Sequence, residues 1–135
     1  MKISIASYAF HGLLEQKEMD VFGYMESCRW RYGLRAADIW NGMIPNLEPA
    51  FLKQIKAGLA EHEMELANLC VDGPHLWEDD PETRRKHHAL ALEWLKAAEY
   101  LNARTIRIDA GGRDKTFTNE QFDYIVKTYK EYAQI

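Results

Sequence analysis

The stretch Thr105-Ile106-Arg107-Ile108-Asp109-Ala110-Gly111-Gly112 decides the fold. Ile106 and Ile108 alternate with Thr105, Arg107 and Asp109. A strand sends successive side chains to opposite faces, so this one has an apolar face and a polar face. The same phase recurs upstream. Ile3 and Ile5, Ala37 and Ile39, and Leu69 and Val71 fall on the apolar side. Ser4, Ala6 and Tyr8, then Ala36, Asp38 and Trp40, then Asn68, Cys70 and Asp72 fall on the other. These patterns predict strands over Ile3–Tyr8, Leu34–Trp40, Leu66–Val71 and Thr105–Asp109.

Helical patterns separate the strands. Asp20 precedes a stripe of Val21, Phe22, Met25 and Cys28. Asn46, with Pro49 near the first turn, precedes Phe51, Leu52, Ile55 and Leu59. Asp80-Pro81 opens the clearest helix, with Leu90, Ala91, Trp94, Leu95, Ala98 and Leu101 on one stripe. Thr118 and Gln121 have capping-box spacing ahead of Phe122, Ile125, Val126 and Tyr129. Strands alternating with helices imply a parallel sheet with right-handed crossovers.

Two parallel folds fail on motif. A receiver-type doubly wound domain needs five βα units and an acidic cluster after its first strand. A dinucleotide fold needs GxGxxG there. The chain has four units, and it reads Phe10-His11-Gly12-Leu13 at that place. A sheet covered by helices on both faces would also be apolar on both. A barrel with helices outside and a polar-lined mouth explains the single apolar face. A full barrel has eight units and about 250 residues. The 135 residues therefore read as one domain, the (βα)4 half of a TIM barrel.

Composition sets the outer limits. Lys and Arg total 17 against 21 Asp and Glu, a formal charge of −4, which disfavours a broad nucleic-acid surface. Apolar residues at 47% and charged residues at 28% are the balance of a globular domain rather than a disordered chain. No run of about 18 apolar residues is present, so no membrane contact is expected. The start, Met1-Lys2-Ile3-Ser4-Ile5, lacks a signal peptide's apolar block, and a cytoplasmic location is expected. Cys28 and Cys70 form no metal-type cluster and read as buried thiols.

Three segments carry a resemblance. Ser4-Ile5-Ala6-Ser7-Tyr8-Ala9-Phe10, Leu69-Cys70-Val71-Asp72-Gly73-Pro74-His75-Leu76-Trp77 and Ala103-Arg104-Thr105-Ile106-Arg107-Ile108-Asp109-Ala110-Gly111-Gly112 resemble the sugar phosphate isomerase/epimerase family of xylose isomerase-like TIM barrels. The match is to that family's N-terminal half. The resemblance implies proton transfer next to a sugar carbonyl, assisted by a divalent metal (Mn, Mg, Co or Zn) in the complete barrel. The family's metal ligands and acid/base glutamates lie in its last four strands. No metal ligand and no catalytic residue is therefore assigned in this chain. The positions that carry over are on the substrate side: Tyr8, Asp38, Trp40, His75 and Asp109.

Residue chemistry adds Arg107 and weighs the rest. An inward guanidinium needs a partner, and Asp38, Asp72 and Asp109 share its phase. It serves either an internal ion pair or a substrate anion. His75 follows the turn Gly73-Pro74, where an imidazole can donate, shuttle protons or ligate metal, or simply hold a loop. His11 sits comparably after the first strand. His62, His87 and His88 lie on helix patterns and read as solvated, as does the run Arg84-Arg85-Lys86. Trp40 and Trp77 at strand or loop ends fit either a sugar-facing wall or packing, and Trp94 reads as core. The Gly111-Gly112 pair would let backbone N–H groups approach a ligand. The expected partner is a small sugar or sugar phosphate. A homodimer, or association with a missing C-terminal half, is expected to close the barrel. Two other functions fit the same fold: a non-catalytic half-barrel that assembles or binds sugar, and an abasic-site endonuclease-like branch.

Overall fold

The computed structural model describes residues 3–112 and 116–135. In chain order it runs α1 (His11–Glu15), α2 (Val21–Glu26), β1 (Ala36–Trp40), α3 (Pro49–Glu61), β2 (Glu65–Val71), α4 (Pro81–Tyr100), β3 (Thr105–Ile108) and α5 (Asn119–Tyr132). A π-helical turn, Ser27–Arg31, follows α2. The strands form one parallel sheet in the order β1-β2-β3, with each neighbour reached across a helix.

Caps legible in the sequence start the helices. The Asp20 carboxylate accepts the N–H groups of Phe22 and Gly23 at 3.0 and 2.9 Å. Asp80 accepts the Thr83 N–H at 2.8 Å, and Pro81 occupies the first turn, where a missing N–H is harmless. Thr118 and Gln121 complete a capping box. Asn46 instead turns the chain before α3: its side chain accepts the Glu48 N–H at 3.0 Å, and the helix begins at Pro49.

The expected first strand is the main departure. Only Ala6 bridges, in parallel, to Asp38, and the chain then turns through a 3-10 segment at Ser7–Phe10. Side chains take over the ladder's role. The buried Ser7 hydroxyl accepts the Trp40 N–H at 2.7 Å. The buried Tyr24 hydroxyl donates to the Ile5 carbonyl at 2.6 Å and accepts the Asp38 N–H at 2.9 Å. Backbone groups that a fourth strand would have satisfied are thus satisfied by two side chains.

The core lies on one side of the sheet. Ala37, Ile39, Leu69, Val71 and Ile108 are buried against Leu52, Ile55 and Leu59 of α3, Ala91, Trp94 and Leu95 of α4, and Ile125 of α5. Each large apolar side chain so buried contributes about 1.5–3 kcal/mol. The stripes are narrower than the sequence pattern: Leu90, Phe122 and Tyr129 are exposed, while Tyr132 is buried. A register shift sets Ala37 opposite Leu66 and Asp38 opposite Asn68, leaving Ala67 as the extra residue of β2. Leu66 and Leu69, three apart, therefore both face the core. No helix among the described residues is long and apolar enough to cross a membrane.

Candidate functional site

The face opposite the core is polar and ordered in rows. Strand register places Asp38, Asn68 and Thr105 in one row, and Trp40, Cys70 and Arg107 in the next toward the C-terminal strand ends. The first row satisfies itself. Asn68 Nδ2 donates to Asp38 at 3.1 Å, and the Thr105 hydroxyl donates to the Ala67 carbonyl at 2.9 Å.

The second row converges on Arg107. Its Nη1 donates to Asp109 at 2.8 Å, its Nη2 donates to Asp72, and its Nε meets Cys70 Sγ at 3.1 Å. Asp72 also accepts the Trp40 indole N–H at 2.7 Å. Its backbone is bracketed by Asn41, which accepts the Asp72 N–H at 3.0 Å and donates to the Asp72 carbonyl at 2.9 Å. Of the three carboxylates sharing the Arg107 phase, two pair with it, and Asp38 pairs with Asn68. The guanidinium is less buried than an interior ion pair implies: its side chain is 48% exposed, beside Asp72 at 43% and Asp109 at 39%. Burial works against the Arg107 charge, but Cys70 and the two carboxylates outweigh it and hold its pKa above the usual value. Burial pushes the Cys70 thiol up despite the guanidinium beside it.

Tyr8 stands at the rim, 52% exposed. Its ring stacks on His11 at 4.7 Å and meets the Trp40 ring edge-on at 5.0 Å. His11 Nδ1 lies 2.8 Å from the Tyr8 carbonyl and so carries the proton there. Tyr8, Trp40, Arg107 and Asp109 therefore form one continuous surface, with Asp38 one row below.

His75 belongs to a second cluster. Its Nδ1 lies 2.7 Å from Glu78 Oε1, and its ring meets the His87 ring edge-on at 5.7 Å. His87 Nδ1 accepts the His75 N–H at 3.2 Å and lies 3.5 Å from the same Glu78 oxygen. Among the described residues, His75, Glu78 and His87 are the group whose donor atoms could hold a metal ion, all within 4.8 Å of one another. The loop carrying His75 is pinned to the sheet: Leu76 and Trp77 donate their N–H groups to the carbonyls of Asp109 and Ala110 at 3.1 and 2.8 Å. Gly111, at φ +79°, is where this loop crosses; a Cβ there would strike the Trp77 carbonyl and His75 Cβ. The close approach that the glycine permits is to the protein's own chain.

No family model matches the sequence, and no curated protein matches it. A solved structure does: D-psicose 3-epimerase with D-tagatose, from Clostridium cellulolyticum H10, is similar at a TM-score of 0.74 and 22% identity. The alignment covers 99% of this chain and 48% of the epimerase. The fold is half of a TIM barrel. The chain thus spans about half the length of the epimerase it matches.

Seen as a half-barrel, the polar rows are the inner wall and the strand ends are its mouth. The sequence offers Asp72 as a partner for Arg107, which the structure bears out, and Cys70 as a buried thiol, which is instead half-buried beside that guanidinium; Asn41 carries no signal in the sequence. It also read Arg84 and His87 as solvated. Arg84 lies over the Trp77 ring at 3.7 Å and donates to the Glu78 carbonyl at 2.8 Å. Trp77 is buried beneath it and is a packing residue. Neither contact has a local signature, because each joins a loop to a helix turn.

Proposed function

We propose that this half-barrel forms the substrate-side wall of a sugar or sugar-phosphate isomerase/epimerase pocket. The observation that carries the reading is the Trp40–Asp72–Arg107–Asp109 network, open to solvent at the C-terminal strand ends. Sugars need aromatic faces for their C–H surfaces and paired polar groups for their hydroxyls. Tyr8 and Trp40 supply the first. Asp72 and Asp109 keep lone pairs for hydroxyls, and Arg107 offers charge-assisted hydrogen bonds to a phosphate or to a developing enediolate oxygen. Asp38 sets the floor beneath them. His75 enters only through the loop that follows Asp72.

Proton transfer next to the carbonyl requires a base, and in the family resembled a divalent metal stabilises the resulting enediolate. The wall's own carboxylates do not fit that ion, because Asp72 and Asp109 are each matched to Arg107. A divalent cation there would face a guanidinium. The wall's part is to bind and orient.

Saturation-transfer NMR on the full chain, with a free ketohexose and a ketose phosphate, tests the reading. Saturation should pass to the sugar ring protons and fall in Trp40→Ala. Arg107→Met should weaken the phosphate ester more than the free sugar. No transfer to either ligand overturns the proposal, and salt-sensitive binding of an abasic duplex instead would favour the endonuclease-like branch.

A further inference from the structure

The geometry points to a divalent-metal site, of the zinc class, formed by His75, Glu78 and His87 at the outer rim of the half-barrel. It is separate from the sugar-facing wall. His75 and Glu78 lie in the loop after β2, and His87 lies in the second turn of α4.

Three observations support it. First, the donors already converge. Ligands at about 2.0–2.1 Å from a tetrahedral zinc stand roughly 3.3 Å apart. The His87 Nδ1–Glu78 Oε1 separation is 3.5 Å, and the His75 Nδ1–Glu78 Oε1 hydrogen bond of 2.7 Å needs only to open by a fraction of an ångström. An ion would take the place of the proton between His75 and Glu78. That proton moves to His75 Nε2, so a neutral ring ligates through Nδ1 with no change in its proton count. At His87 the ion would displace the His75 N–H, which now occupies the Nδ1 lone pair.

Second, the cluster is held from both sides before any ion arrives. Leu76 and Trp77, between His75 and Glu78, are bonded to the end of β3. Arg84 clamps the Glu78 carbonyl to α4 while it stacks on Trp77. Preformed positions lower the ordering cost of binding.

Third, the side chains are 22%, 30% and 25% exposed, dry enough to strengthen the bonds yet open to solvent for entry. Two imidazoles and one carboxylate select a borderline cation over magnesium or calcium, which prefer all-oxygen shells. Three protein ligands leave a fourth position for water. The bound ion would tie the loop that begins at Asp72 to the N-terminal half of α4.

The test is calorimetric titration of the metal-free full chain with Zn²⁺ and, separately, Co²⁺, with thermal unfolding alongside. One equivalent should bind and raise the unfolding temperature. Glu78→Gln and His87→Ala should each weaken binding at least about tenfold, whereas His62→Ala, on a different helix end, should leave it unchanged. Glu78→Gln preserves shape at a partly exposed position, so it remains informative if His87→Ala folds poorly. Absence of one-to-one binding in the wild type, or binding that survives Glu78→Gln, overturns the site.

Discussion

Trp40 and Arg107 stand on different strands and hold the same carboxylate: Asp72 accepts the Trp40 indole N–H at 2.7 Å through one oxygen and pairs with Arg107 through the other. An aromatic wall and a cation are thereby fixed relative to each other across β2. The side chain that joins them lies just beyond that strand's end.

Arg107→Met tests how much of this network is structural. An ion pair as exposed as this one is screened by water, so its removal should cost at most about 1 kcal/mol. Urea unfolding should show that small loss while ligand binding falls much further. A loss of several kcal/mol with unchanged binding would mark Arg107 as a structural residue.

Tyr24→Phe should be more damaging, although it removes a single atom. The hydroxyl satisfies the Ile5 carbonyl and the Asp38 N–H inside a fully buried site. Leaving them unpaired should cost about 1–3 kcal/mol. Denaturant midpoints decide this, and faster hydrogen exchange at Asp38 should accompany the loss.

Acid should weaken α4 at its start. Hydrogen bonds from the Thr83 hydroxyl and backbone hold the Asp80 carboxyl below its usual range. A depressed carboxyl stabilises the fold above its unfolded pKa, near 3.9, and that contribution fades as pH falls through the lower folded value. Asp80→Ala should remove this part of the acid dependence and lower stability at neutral pH, as read by helical circular dichroism across pH 2–7.

Self-association is the expected consequence of an open wall. Among the described residues β3 pairs with β2 and with no other strand, so its outer edge lacks a strand partner. Light scattering at micromolar concentration should show species heavier than 15.7 kDa. A monodisperse monomer would mean that the edge is tolerated as it stands.

Local signals account for what the amino-acid order alone determined. Period-two alternation at Ile106-Arg107-Ile108 and Leu69-Cys70-Val71 needs no partner to be read, because pleating alone separates the two faces. Asp20, Asp80 and Thr118 cap within their own turns, and so their helices begin where expected. Long-range geometry decided the rest. The alternation at Ile3–Tyr8 matched a strand, yet Ser7 and Tyr24 captured the neighbouring backbone groups and left a single bridge. Arg107 had three carboxylates on its phase. The reach of a guanidinium along β3 and across to the end of β2 selected Asp72 and Asp109. His87 lay on a helix pattern like any solvated histidine until the loop after β2 folded over α4 and brought His75 and Glu78 to it. Such meetings depend on where whole elements pack, and no spacing within one segment records that.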